Sequence, residues 1–174
     1  GNKNEEEPWE TIAWDFKVSY CPKTKKKEVH MVIIDEITGL VRVGKVKTMN
    51  SQGQDTVITE EVIDMYRKMW EEPYGPPKRI RYDEEGAHMP KEMGVNMSIK
   101  GVLLEPIPGH AHWQNGKVER IIQTIFEASN KTITEEKVTR EESVKMSCLA
   151  HNRSTGGKCF SPFQYAPGRN PNSI

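Results

Sequence analysis

The chain has 174 residues, enough for one domain with a real core, and its 25 Lys plus Arg balance 25 Asp plus Glu. A hydrophobic share of 35% and a mean hydropathy of −0.72 describe a polar chain in which no run approaches a membrane span and no start resembles a signal peptide. Net neutrality excludes a globally cationic nucleic-acid binder, and three cysteines without framework spacing (Cys21, Cys148, Cys159) predict reduced thiols and an intracellular setting.

Residues 1–8, which begin with Gly1 and hold an acidic run, read as a disordered tail or cloning scar before a domain over 9–174. "TIAWDFKVSY" alternates, with Ile12, Trp14, Phe16, Val18 and Tyr20 on one face and Ala13, Asp15, Lys17 and Ser19 on the other. It is a strand. The basic turn "KTKKK", read as a solvated surface, leads into the apolar strand "EVHMVIID". "EITG" then turns the chain into the alternating "LVRVGKVKTM", which makes an antiparallel meander. From Asn50 to Trp70 the period becomes helical, with Val57, Val62, Met65, Tyr66 and Met69 on one face and prolines in "EEPYGPP" as the stop. "KRIRY" is a short strand ending in "DEEG"; a weaker helix spans 88–98; "GVLLEPI" is the fifth strand; and "PGHAHWQNG" is a loop. The next helix carries the clearest apolar stripe, Val118, Ile121, Ile122, Ile125 and Phe126, which turns Glu119, Gln123 and Glu127 outward and leaves Arg120 at the flank. A last helix covers 139–151 before a Gly/Pro-rich tail. The order predicts one α/β domain with a mixed sheet.

Three carboxylates stand out. Asp15 interrupts a strand interior, where Asp is disfavoured except on an edge strand with a wet outer face. Asp83 follows directly after a strand, where α/β sheets present functional groups, although turn chemistry also explains it. Glu119 sits in a helix first turn, where dipole complementation alone accounts for it. Taken singly, none demands a function. Thirty-five residues separate Asp83 from Glu119, however, and the order Asp, Asp, thirty-five residues, Glu resembles the catalytic core of retroviral and long-terminal-repeat retrotransposon integrases. The flanking "WETIAWDF", "PPKRIRYDEEG" and "NGKVER" agree, as does the tail "SPFQYAPGRNP". The resemblance spans about Trp9 to Pro171.

That resemblance implies an RNase H-like fold, a mixed five-stranded sheet flanked by helices. It implies a metal-dependent polynucleotidyl transferase performing DNA 3′-end processing and strand transfer with two Mg²⁺ or Mn²⁺ ions. Asp15 would bridge both metals, and Asp83 and Glu119 would hold one each. The partners implied are element-end and target DNA and a second copy of the chain, with action in the nucleus. Candidate DNA contacts are Lys117, Arg120, Gln114, Asn115, Trp113 and Arg81. The alternatives are a related nuclease or transposase, or a domesticated core acting as a DNA- or protein-binding module.

The chain departs from the family's pattern where Glu84 replaces the usual Asn and "AHWQ" replaces His-Pro-Gln, keeping Gln114 and adding Trp113. Asp35, the rival first carboxylate, reads as a turn residue in "IIDEITG". Cys148 and His151 lie one helical turn apart, and with Cys159 they lack the four-ligand spacing of a zinc site. His110 and His112 likewise have no partners at that spacing.

Overall fold

A computed structural model of the chain describes residues 7–48, 59–83, 91–108, 116–154 and 161–162, apart from the side chains of 47, 48 and 59. Five strands, β1 (Thr11–Cys21), β2 (Lys26–Asp35), β3 (Val41–Thr48), β4 (Arg79–Asp83) and β5 (Leu103–Ile107), form one sheet in the order β3-β2-β1-β4-β5. The meander pairs antiparallel, while β1–β4 and β4–β5 are parallel, so the sheet is mixed as expected.

The edge-strand explanation for Asp15 is overturned, because β1 is the central strand. Its alternation feeds two cores. Ile12 and Trp14 face one layer, with Phe16 packed against it, and Ala13 faces the other. Both faces of Thr11–Trp14 are buried, and burial falls off after Phe16, where Lys17, Val18 and Tyr20 are exposed.

On the Trp14 face lie α1 (Thr59–Tyr66), a π-helical stretch Arg67–Glu71, a short turn α2 (Glu72–Tyr74) and α3 (Lys91–Ile99). The helical run ends at Tyr74, inside "EEPYGPP" as expected. Pro73 lies in the last helical turn, just after the π-helical stretch in which the Glu72 amide bonds back five residues to Arg67 O, and the chain turns at Gly75 with φ +82°. Val57 lies outside the described residues. Gly44 on β3 lets this helical segment approach closely, since a Cβ there would collide with the Met65 sulfur. Trp9 closes the layer by stacking on Tyr74 and meeting Trp70 edge-on.

On the other face lie α4 (Lys117–Glu136) and α5 (Arg140–Arg153). The α4 stripe is buried as expected: Val118, Ile122, Ile125 and Phe126 meet Ala13, Val32 and Ile34, with Ile121 packed alongside. Thr139 and Glu142 start α5 with a reciprocal capping box, typically worth about 1 kcal/mol. Among the described residues no helix is long and apolar enough to cross a membrane.

Candidate active site

The parallel register pairs Trp14 with Tyr82, so the next residues along each strand, Asp15 and Asp83, stand at one level of the sheet. Strand alternation turns both toward the α4 side, opposite Trp14 and Tyr82, which pack in the other layer. The apolar stripe of α4 leaves Glu119 exposed in its first turn, and Gly116, at φ +59°, makes the turn into that helix. Asp15 and Glu119 then line one cavity of about 540 Å³ between β1 and α4, with Lys17, Gln123, Glu127 and Asn130 as its polar walls.

Burial raises the Asp15 carboxyl above the ordinary carboxylate range. A hydrogen bond from the Phe16 amide to Oδ1 at 2.8 Å opposes this, the charge of Asp83 adds to it, Lys17 opposes it and Glu119 adds to it. Asp15 therefore feels the charge of both other carboxylates. Among the described residues, though, no three His, Cys, Asp or Glu side chains converge as a ready group for a metal ion. The donor set is all carboxylate oxygen, which suits a hard divalent cation that keeps several waters. In that chemical sense Asp15, Asp83 and Glu119 fit Mg²⁺ or Mn²⁺.

Asp35 is a structural residue. It is buried, and its oxygens accept from Trp9 N at 3.0 Å, Thr38 N at 2.9 Å and Thr38 Oγ1 at 2.6 Å. Burial raises its pKa against those three bonds and the charge of Lys117. The Cys148–His151 pair is likewise occupied by the fold: Cys148 Sγ donates to Val41 O at 3.1 Å, and His151 Nε2 lies 2.8 Å from Gly39 O. Burial pushes the Cys148 thiol up to about 12, so it stays protonated at neutral pH while it donates to Val41 O.

Two of the cations expected to meet DNA are engaged within the chain. Arg81 pairs with Glu36 at 3.1 Å and with Glu105 at 3.0 Å, and Lys117 Nζ donates to the carbonyl of Glu36 at 2.7 Å. Sequence reading missed Glu36 entirely, since nothing local marks it. Its carboxylate and its carbonyl brace the residues two positions before Asp83 and Glu119. Arg120 is exposed on the α4 flank. Trp113, Gln114 and Asn115 lie outside the described residues, as do Glu84, His110, His112 and Cys159. Lys17 and Asn130 were also missed as walls of the cavity, although Lys17 is legible as the same-face neighbour of Asp15, two residues along.

No family model matches the sequence, and no curated protein matches it either. Solved structures do. The HTLV-2 integrase catalytic core domain in complex with magnesium, in its dimeric form, aligns at TM-score 0.63 and 18% identity over 84% of this chain and 88% of that one. A chain of the simian T-cell lymphotropic virus intasome in complex with PP2A regulatory subunit B56 gamma aligns at TM-score 0.71 and 13% identity, covering 91% of this chain and 54% of that one. The catalytic core domain of BIV integrase aligns at TM-score 0.61 and 11% identity, over 90% and 92%. The chain has the RNase H-like fold of retroviral integrase catalytic cores.

Proposed function

We propose that this chain is the catalytic core of a retrotransposon-type integrase, a polynucleotidyl transferase that trims DNA 3′ ends and joins them to target DNA. One observation carries the reading: the parallel register that sets Asp15 beside Asp83 at the end of β4, with Glu119 across a shared cavity. Asp15, Asp83 and Glu119 would hold the divalent ions, which when bound supply Lewis-acid activation of the attacking and leaving oxygens. The protein's own part is positional. Asp15 is held on a rigid central strand with its carboxylate oriented by the Phe16 amide. Glu119 is carried on a helix whose first turn is anchored through Lys117. The magnesium in the HTLV-2 core supports the choice of metal, and that core's dimeric form supports a homodimer here. The substrates in this reading are element-end and target DNA, met in the nucleus.

A second reading, a core that keeps the fold and binds DNA without cutting, is favoured by the departures from the family's pattern at Glu84 and in "AHWQ". The two readings separate in a strand-transfer and disintegration assay on oligonucleotides with Mn²⁺, run beside Glu119→Gln. Joined product that disappears in the variant supports the integrase. Cleavage without joining supports a related nuclease, and no product with retained DNA binding supports the non-catalytic module.

A further inference from the structure

β1 outruns its parallel neighbour. Its register with β4 covers Thr11 to Trp14, whereas its pairing with β2 continues to Cys21. The β1–β2 hairpin therefore projects past the carboxylates as an arm. Its tip carries Lys23, Lys25, Lys26 and Lys27, all exposed, and none forms an ion pair with a described residue. Lys26, paired with Cys21, lies on the same face of the sheet as Asp15, and Lys27, paired with half-exposed Tyr20, lies on the other, so the tip presents lysines on both sides of the hairpin.

Lys25 has φ +57°, the left-handed region that favours glycine, and its amide closes the turn on Cys21 O at 2.8 Å. A glycine would make this turn with less strain. Lys25 occupies it nonetheless, as Lys137 occupies the left-handed position after α4.

The cavity runs from the carboxylates toward the base of the arm, its lining ending at Lys17 on β1 and Asn130 on α4. Along β1, Asp15 to Tyr20 spans about 16 Å at strand rise. Along α4, Glu119 to Asn130 spans about 16 Å at helical rise. Arg140 locks the far end by donating to both Tyr20 O and Asn130 Oδ1. At about 3.4 Å per base pair, a duplex with one phosphate at the carboxylates reaches the hairpin about five base pairs away.

The cavity is acidic along its length, through Asp15 and Glu119 at one end and Glu127 toward the other, and Arg81 and Lys117 are held by Glu36. Phosphate neutralisation must then come from outside the cavity, and the lysine tip, which lies beyond the end marked by Lys17 and Asn130, is an exposed cationic cluster at that end.

We infer that the β1–β2 hairpin is a DNA-backbone clamp that grips the duplex about five base pairs from the candidate catalytic carboxylates, without reading sequence. The inference rests on DNA as the substrate of the proposed function.

The test measures equilibrium binding of the whole chain to a 20-base-pair duplex across a salt series, with cleavage followed separately. The triple substitution Lys25→Gly, Lys26→Gln, Lys27→Gln removes three charges, and its Gly suits the turn, so the fold is retained. Expected are a roughly tenfold loss of affinity, a fall of about two to three in the slope of log K against log salt, and recovery with Lys26→Arg and Lys27→Arg alone. An unchanged slope overturns the clamp. So does a wild-type chain that fails to bind duplex, or one that binds anionic phosphatidylserine vesicles through these lysines while its DNA affinity ignores the triple substitution. Intact binding through the hairpin with no metal-dependent cleavage leaves the clamp standing and overturns the proposed catalysis instead.

Discussion

Lys117 donates from Nζ to the carbonyl oxygen of Glu36 at 2.7 Å, tying the first turn of α4 to the turn after β2. Two residues along α4 is Glu119. The same Glu36 holds Arg81 through its carboxylate, two residues before Asp83. One turn thus braces the two elements that carry the second and third carboxylates.

Lys117→Met should therefore act on positioning rather than on phosphate contact. Losing a charge-assisted bond to a carbonyl costs about 1–2 kcal/mol of stability, visible in urea unfolding. The salt slope of DNA binding should stay at the wild-type value. Arg120→Gln, removing an exposed cation, should do the reverse and lower the slope by about one while leaving the unfolding midpoint in place. A reduced slope in Lys117→Met would return that lysine to the DNA surface.

Asp15→Asn should raise the metal-free melting temperature by a few degrees, about 1 kcal/mol for a domain of this size, and abolish both cleavage and any stabilisation by Mn²⁺. The sign follows from its raised pKa. Folding favours the protonated form, so the stability that Asp15 contributes is present at acid pH and is lost as pH rises through its folded value. The advantage of Asn over Asp must therefore grow toward neutral pH. Thermal melts at several pH values with and without Mn²⁺ test this; a variant that melts below wild type at pH 7 contradicts it.

Asp35→Ala should cost about 3–5 kcal/mol, because Trp9 N, Thr38 N and Thr38 Oγ1 all lose a buried acceptor. Cleavage per folded molecule should survive. Loss of the metal response in a folded Asp35 variant, with that response kept in Asp15→Asn, would reverse the assignment of the first ligand.

His30 predicts an acid limb in stability. It is buried against the edge of Phe126, neither ring nitrogen has a hydrogen-bond partner among the described residues, and burial lowers its pKa to about 4 from the ordinary 6.5. The charges facing it are Glu141 from α5, which opposes the shift, and Lys45, Arg140 and Lys145, which reinforce it. The unfolded chain binds its proton first as pH falls, so stability is full above 6.5 and declines to about 4, by an amount on the order of 3 kcal/mol. Nearby Glu28, raised by burial, works in the opposite direction. His30→Leu should flatten the decline between pH 6.5 and 4 when the two proteins are compared by urea unfolding. Parallel curves for both would show that His30 is not its source.

The order of elements and the α4 stripe were legible in the sequence because periodicity is local: a helix or strand shows its buried face within a few turns. The outward direction of Glu119 followed from that stripe, and the structural role of Asp35 followed from turn chemistry three residues long. The first helix was read less well. A π-helical stretch, which no local signal marks, carries it past Trp70 before it ends at Tyr74, within "EEPYGPP".

Residue type and a thirty-five-residue interval were enough to pick out the candidate carboxylates and the helix that carries the last of them. Only the tertiary structure decided that β1 is central, that Asp83 lies level with Asp15, and that Arg81 and Lys117 are bound to Glu36. Each of these depends on partners tens of residues apart. Strand order and parallel register are set by which apolar faces can be buried on both sides of one sheet, and an ion pair forms only once that burial has brought its members within reach.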